Sequence, residues 1–301
     1  MAEVSFENRT VIVTGAGNGL GKAYALDLGS RGAKVVVNDL GGAVDGSGSG
    51  STPADEVVNE IVSNGGEAVA NYDSVATKDG AESIVQTAID NFGTVDAVIN
   101  NAGILRDKSF ANMSEEELSL IIDVHLKGTF FVSQSAFRVM KENSYGRIVN
   151  VASPSGLFGN FGQSNYGAAK MGIVGLTNVL AIEGAKYNIK VNVIAPTAYT
   201  RMTEALLPED VGKLFSAELV TPMVSYLASE ACEPSHEIFG VAAGRFARIG
   251  IITHKGYVNT TASAEDIADN IEEIRNIENG TYPLSNEDEL MIIQQAIQGN
   301  Q

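Results

Sequence analysis

Short runs rich in valine and isoleucine recur along the chain, separated by longer stretches with helical periodicity. The runs are "TVIVTGA" from Thr10, "AKVVVNDL" from Ala33, "AVANYDS" from Ala68, "VDAVINNAG" from Val95, "GRIVNVAS" from Gly146, "IKVNVIAP" from Ile189 and "EIFGVAAG" from Glu237. Their apolar residues are continuous rather than alternating, the pattern of strands covered on both faces. Helical spacing occupies residues 19–31, 53–64, 78–92 and 115–141. Strand–helix alternation of this kind predicts an α/β fold, a doubly wound, Rossmann-type parallel sheet of about seven strands. Past Gly250 the pattern changes: "ASAEDIADNIEEIRNI" reads as an acidic amphipathic helix and "MIIQQAIQ" as another short one. We therefore expect a dinucleotide-binding domain over residues 1–250 and a C-terminal helical extension over 251–301.

The formal net charge of −17 excludes a general nucleic-acid binder, which needs a basic surface, and disfavours docking on anionic lipid. No apolar run reaches transmembrane length, since "MGIVGLTNVLAI" is interrupted by Thr177 and Asn178. The single cysteine, Cys232, allows no internal disulfide and fits a reducing compartment. The N-terminal residues lack a signal-peptide h-region, so a cytoplasmic location is expected. A peroxisomal one applies if the source is eukaryotic, although the chain does not end in a Ser-Lys-Leu type of address. His125, His236 and His254 show no metal-ligand spacing with the cysteine, and no metal is expected. The stretch "GGAVDGSGSGS", residues 41–51, follows the second strand and reads as a flexible insertion without chemistry.

"VIVTGAGNGLG" places Gly15, Gly19 and Gly21 between the first strand and the first helix. Glycine is wanted there because the backbone must turn sharply and let a pyrophosphate approach amides at a helix N-terminus. The second strand ends in Asp39, about twenty residues further on, where a carboxylate can accept hydrogen bonds from ribose hydroxyls. That carboxylate would repel the extra phosphate of NADP. No arginine follows it, and no basic residue stands in the turn, where Asn18 precedes Gly19. The cofactor read from these residues is NAD.

Tyr166 and Lys170 stand four residues apart on a predicted helix, and so share one face. Ser153 lies thirteen residues before Tyr166, at the C-terminal end of a strand, the side on which doubly wound sheets bind ligands. Oxidising an alcohol by hydride transfer releases a proton from its oxygen. A tyrosine can collect it if its pKa falls well below the free value of about 10, and a neighbouring ammonium works in that direction. Ser153 would hold the substrate oxygen; Ser155 competes for this place, but Ser153 directly ends the strand.

With "TGAGNGLG", "NNAG" (residues 100–103) and "YGAAK", the chain resembles the short-chain dehydrogenase/reductase family up to about Gly250. The resemblance implies that Gly15, Asn18, Gly19 and Leu20 border the cofactor together with Asp39, and that Asp73 and Ser74 lie near the adenine. It further implies that Asn101, Ala102 and Gly103 sit against the cofactor, that Lys170 bonds the nicotinamide ribose beside Tyr166, and that Pro196 and Thr197 shape the nicotinamide end. In one departure, His125 stands where the family usually has an asparagine completing a proton relay to the lysine. A histidine can relay through its ring or backbone, or be an ordinary satisfied polar residue.

Within the family, "VVVNDLGG", "NNAGILRDKSF", "DVHLKGTF", "FGNFGQSNYGAAK" and "IAPTAYTRMTE" resemble the (3R)-hydroxyacyl-CoA dehydrogenase units of peroxisomal multifunctional enzymes. This implies oxidation of a (3R)-3-hydroxyacyl-CoA by NAD in fatty-acid β-oxidation, by a homodimer. Rival readings are a steroid or other secondary-alcohol dehydrogenase, a 3-ketoacyl carrier-protein reductase, and a non-catalytic dinucleotide-binding regulator. Residues 200–215 are expected to cover the substrate, with Arg201 and Met202 as contacts to the acyl chain or CoA. Arg106, Lys108 and Arg201 are candidate cations for a CoA phosphate.

Overall fold

The structure, a computed structural model, describes residues 4–200 and 212–298. The chain divides into two compact units, Met1–Arg248 and Ile249–Gln301. The first is built on an eight-stranded sheet: β1 (Thr10–Thr14), β2 (Lys34–Asn38), β3 (Glu67–Asn71), β4 (Ala97–Asn100), β5 (Gly146–Val151), β6 (Ile189–Thr197), β7 (Ile238–Ala242) and β8 (Arg245–Ile249). Their order is β3-β2-β1-β4-β5-β6-β7-β8, and the six pairings from β3 to β7 are parallel. The winding reverses between β1 and β4, the point where such sheets open a crevice at their C-terminal edge.

The seven expected strands all form. Their continuous apolar character follows from helices on both faces. Val11, Val13, Val35, Val37 and Ile99 pack on one side with Tyr24 and Leu28 of α1 (Gly19–Ser30) and with Val57 and Ile61 of α2 (Thr52–Ser63). Ile12, Val36 and Val98 point to the other side, as successive strand residues must, and meet Ile84 and Val85 of α3 (Lys78–Phe92).

The single helix expected over residues 115–141 is instead three segments: α4 (Glu115–Ile121), a π-helical stretch (Ile122–Lys127) and α5 (Gly128–Asn143). A capping box between Ser114 and Glu117 starts α4. Two further helices are α6 (Pro154–Phe158) and α7 (Ser164–Gly184). The sequence reading missed β8, whose "RFARI" has no buried residue and carries two arginines. It returns from β7 through Ala243 and Gly244, both at positive φ, as a two-residue hairpin requires.

In the second unit the stretch expected as one acidic helix forms two, Ala264–Asp269 and Ile271–Arg275, interrupted at Asn270. A last helix covers Asn286–Gln298. Among the described residues, no helix is long and apolar enough to cross a membrane.

A buried polar chain ties the sheet to α5 and α7. Asn100 Nδ2 donates to Ser133 Oγ and to Asn150 Oδ1, both at 2.8 Å, and Asn150 Nδ2 donates to Thr177 Oγ1 at 2.8 Å. Asn150→Ala would leave two buried groups short of a partner, at about 1–3 kcal/mol each. We expect a loss of about 2–6 kcal/mol in urea unfolding, on the same principle; a loss near zero would mean that the chain does not hold these helices.

Candidate active site

β1 runs straight into the glycine turn, and the turn is held from the neighbouring strand. Asn101 Nδ2 donates to the carbonyls of Thr14 and Gly15 at 3.0 Å, while Thr14 Oγ1 accepts from the amides of Asn101 and Ala102. Gly15 has φ +62°, and a Cβ there would stand 2.7 Å from Ala102 Cα, so the two strand ends meet only because this residue is glycine. The first helix starts at Gly19 with no side chain capping its amides and no acidic residue in its first turn. Such an end favours an anion.

Asp39, at the end of β2, is 8% exposed. Its Oδ2 accepts from the Gly17 amide at 2.8 Å and its Oδ1 from the Gly41 amide at 2.7 Å. Asp73 accepts at Oδ2 from Asn71 Nδ2 and Ser83 Oγ. One cavity at this sheet edge is lined by Gly15, Asn18, Gly19 and Leu20, by Asp39, Asp73 and Ser74, and by Asn101, Ala102 and Gly103. The sequence reading assigned these residues to the cofactor. Pro196 and Thr197 end β6 and do not line this cavity.

The same walls include Leu40 and, from the glycine-rich insertion, Gly42, Ala43 and Gly46. The segment expected as a flexible insertion thus borders the cavity. Internal main-chain bonds close the segment on itself: the Ala43 amide donates to Ser47 O, and the Gly50 amide to Leu40 O. Its wall residues are glycine and alanine, which leave no side-chain pattern to read. Leu120 and Val124 were also missed, because apolar residues on a helix read as core unless the cavity is seen, and so was Ile104 in the loop after β4.

Ser153, just past β5, caps α6, its Oγ accepting from the Ser155 amide at 3.2 Å. The Ser153 hydroxyl, not that of Ser155, is the one that draws the Tyr166 phenol pKa down. Tyr166 and Lys170 occupy the first turns of α7. The Lys170 ammonium lies 5.5 Å from the centre of the Tyr166 ring and donates from Nζ to Val151 O at 2.6 Å. Burial governs both groups. It pushes the Tyr166 phenol up to about 12, against the opposing influence of the Ser153 hydroxyl, and Lys170 down to about 7. Desolvation of the charged form is the largest influence at each of the two residues, and Lys170 is not among the groups that shift the phenol.

His125 lies in the π-helical stretch, 2% exposed. Its Nε2 stands 2.8 Å from Ile104 O and 3.1 Å from Ile104 N, and Nδ1 has no protein partner. The ring meets Tyr166 edge-on, with centroids 5.1 Å apart, and comes so close to Gly103 that a Cβ there would stand 2.4 Å from Cε1. Burial, then the nearby Lys170 charge, push its pKa down to about 3, so the ring is neutral at ordinary pH. Its geometry suits packing between the loop after β4 and Tyr166.

Arg106 Nε donates to Asp45 O at 2.6 Å, and the Lys108 amide to Gly162 O. Arg201 and Met202 lie outside the described residues.

Comparison with known proteins gives the same outline. The short chain dehydrogenase family model matches residues 9–210. The peroxisomal hydratase-dehydrogenase-epimerase of Saccharomyces cerevisiae is 57% identical over 246 residues, 82% of this chain but 27% of the yeast protein. The solved full-length peroxisomal multifunctional enzyme type 2 of Drosophila melanogaster superposes with TM-score 0.83 at 37% identity, covering 98% of this chain and 50% of that one. A crystal structure of a short chain dehydrogenase from Mycobacterium avium superposes with TM-score 0.80 at 42% identity, covering 90% of this chain and 97% of that one. The chain thus spans half or less of the two peroxisomal relatives and nearly the whole of the mycobacterial one. The sheet order, the glycine turn locked by Asn101, and the match over residues 9–210 agree on one conclusion: the chain belongs to the short-chain dehydrogenase family, and is an oxidoreductase of that family.

Proposed function

We propose that this oxidoreductase uses NAD to oxidise (3R)-3-hydroxyacyl-CoA to 3-ketoacyl-CoA. The observation that carries the reading is that Tyr166, which shares a helix face with Lys170, packs against Ile104 of a cavity that Asp39 also lines. His125 bridges the two parts, touching Gly103 and Ile104 on the cavity wall and Tyr166 on its other side.

The residues present fit a dinucleotide. Gly15 keeps side-chain volume out of the turn, the start of α1 offers free amides, and Asp39 presents a carboxylate where a ribose is read. A buried carboxylate favours the 2′-hydroxyl of NAD over the 2′-phosphate of NADP. When bound, NAD supplies the hydride acceptor and, in its oxidised form, a positively charged ring. Ser153 Oγ then orients the substrate hydroxyl, and Tyr166 Oη takes its proton as the hydride departs. Burial holds the phenol neutral and the Ser153 hydroxyl opposes it; the positive nicotinamide ring of bound NAD and the Lys170 ammonium would favour the phenolate that accepts the proton. His125 keeps the Tyr166 ring in place while remaining uncharged.

The substrate class rests on likeness to peroxisomal enzymes, one of which is named for a hydratase and a dehydrogenase together. In that chemistry, water added across a double bond yields the alcohol that the dehydrogenase oxidises.

A panel of 3-hydroxyacyl-CoAs of both configurations, assayed with NAD and NADP, tests the proposal. Reduction of NAD is expected with R substrates only. Tyr166→Phe should lower kcat by at least about 100-fold, the scale of a lost acid–base group, while NAD still binds. Turnover of steroids or other secondary alcohols alone would overturn the substrate class.

Asp39→Ala should narrow the kcat/KM advantage of NAD over NADP by about tenfold, one charge-assisted hydrogen bond's worth. Faster wild-type turnover with NADP would refute the NAD reading.

Lys170 also predicts a pH dependence. Its folded pKa, about 7, lies below its ordinary 10.5, so the unfolded chain binds the proton more tightly and stability rises with pH between those values. Lys170→Met should gain most over the wild type below that window and lose the gain above it, in urea unfolding at several pH values. A difference independent of pH would contradict the burial of this ammonium.

A further inference from the structure

We propose that residues 41–50 form a strap that couples an adenosine nucleotide in the cavity to the position of Tyr166. This rests on the dinucleotide reading above and assigns a positioning role to a segment with no reactive side chain.

The coupling is a continuous set of contacts. At one end, the Gly41 amide bonds the Asp39 carboxylate, and Leu40 O accepts from the Gly50 amide, so the neck of the strap closes directly on the ribose-reading residue. Gly42, Ala43 and Gly46 then wall the cavity. At the outer end, Val44 O accepts from the Leu105 amide at 3.0 Å and Asp45 O from Arg106 Nε at 2.6 Å. The loop so gripped leads to the catalytic side. Ile104 is bonded through its main chain to His125 Nε2, and Arg106 O accepts from Asn165 Nδ2 at 3.0 Å. His125 packs edge-on against Tyr166, and Asn165 Oδ1 accepts from the Tyr166 amide at 2.7 Å.

The composition of the strap suits this task. Residues 41–50 hold five glycines, so ordering them costs conformational entropy, and an occupant touching their backbone offsets that cost. Filling the adenosine half of the cavity then favours the closed strap, and the closed strap favours the bonded state of residues 104–106. Two elements that share one ordering step are coupled by the free energy of that step.

ADP-ribose, which carries the adenosine half and no nicotinamide, separates the strap from the chemistry. Its binding is followed by calorimetry, and amide hydrogen exchange of Ile104 and Leu105 is measured with and without it. In the wild type, saturating ADP-ribose should slow exchange at both amides at least tenfold. Two variants open the strap. Gly46→Val places a Cβ 2.9 Å from Ile104 Cδ1 at a residue with φ +84°, and Arg106→Gln removes the Nε–H donated to Asp45. In each, ADP-ribose at saturation should leave Ile104 and Leu105 exchanging as in the free protein. A purely structural strap would alter exchange equally with and without ligand. Unchanged exchange in the wild type with ADP-ribose bound, or full slowing in both variants, would overturn the coupling alone. No binding of ADP-ribose at all would overturn the dinucleotide reading, and the strap with it.

Discussion

The contact between the ends of β1 and β4 is the constraint on which the site depends. Asn101 spends its amide on the Thr14 and Gly15 carbonyls, and Thr14 returns its hydroxyl to the Asn101 and Ala102 amides. This reciprocal lock sits where the winding of the sheet reverses, so it sets the floor of the crevice that the reversal opens. Gly15 lets the two backbones approach closely enough for it to form. The cavity, the start of α1 and the loop carrying Ile104 are all placed by it.

The Ser153–Tyr166–Lys170 side answers to a second constraint, burial. Tyr166 and Lys170 sit together on one face of α7, yet each is pushed toward its uncharged form by the surrounding protein. A lysine near neutrality next to a reluctant phenol is a pair sensitive to any charge brought into the site. His125, by contrast, is held so far toward the neutral ring that it adds shape and contact rather than charge. Its place in a π-helical turn gives it reach to both Ile104 and Tyr166, and such single-turn irregularities are frequent at functional sites.

Between these two regions runs the glycine-rich segment. Its contacts are carried almost wholly by main-chain atoms, and they join the residue that closes β2 to the loop that follows β4. A segment of glycine and serine can do this because small residues let the backbone itself approach its neighbours.

Seven strands and the first helices were legible from local pattern, because a strand buried on both faces must be apolar throughout and a helix over a sheet must repeat at its own period. Gly15, Asp39, Ser153, Tyr166 and Lys170 were legible for a related reason: each stands at a fixed offset from a strand or helix end. β8 escaped because an exposed edge strand carries no such pattern, and the π-helical turn at Ile122–Lys127 because a one-residue change of helical register leaves composition untouched. The contacts of residues 41–50 and the balance of charge at Tyr166 and Lys170 belonged to the folded chain alone. Both arise from groups far apart in sequence, through main-chain contacts in one case and exclusion of water in the other, and neither depends on the order of neighbouring residues.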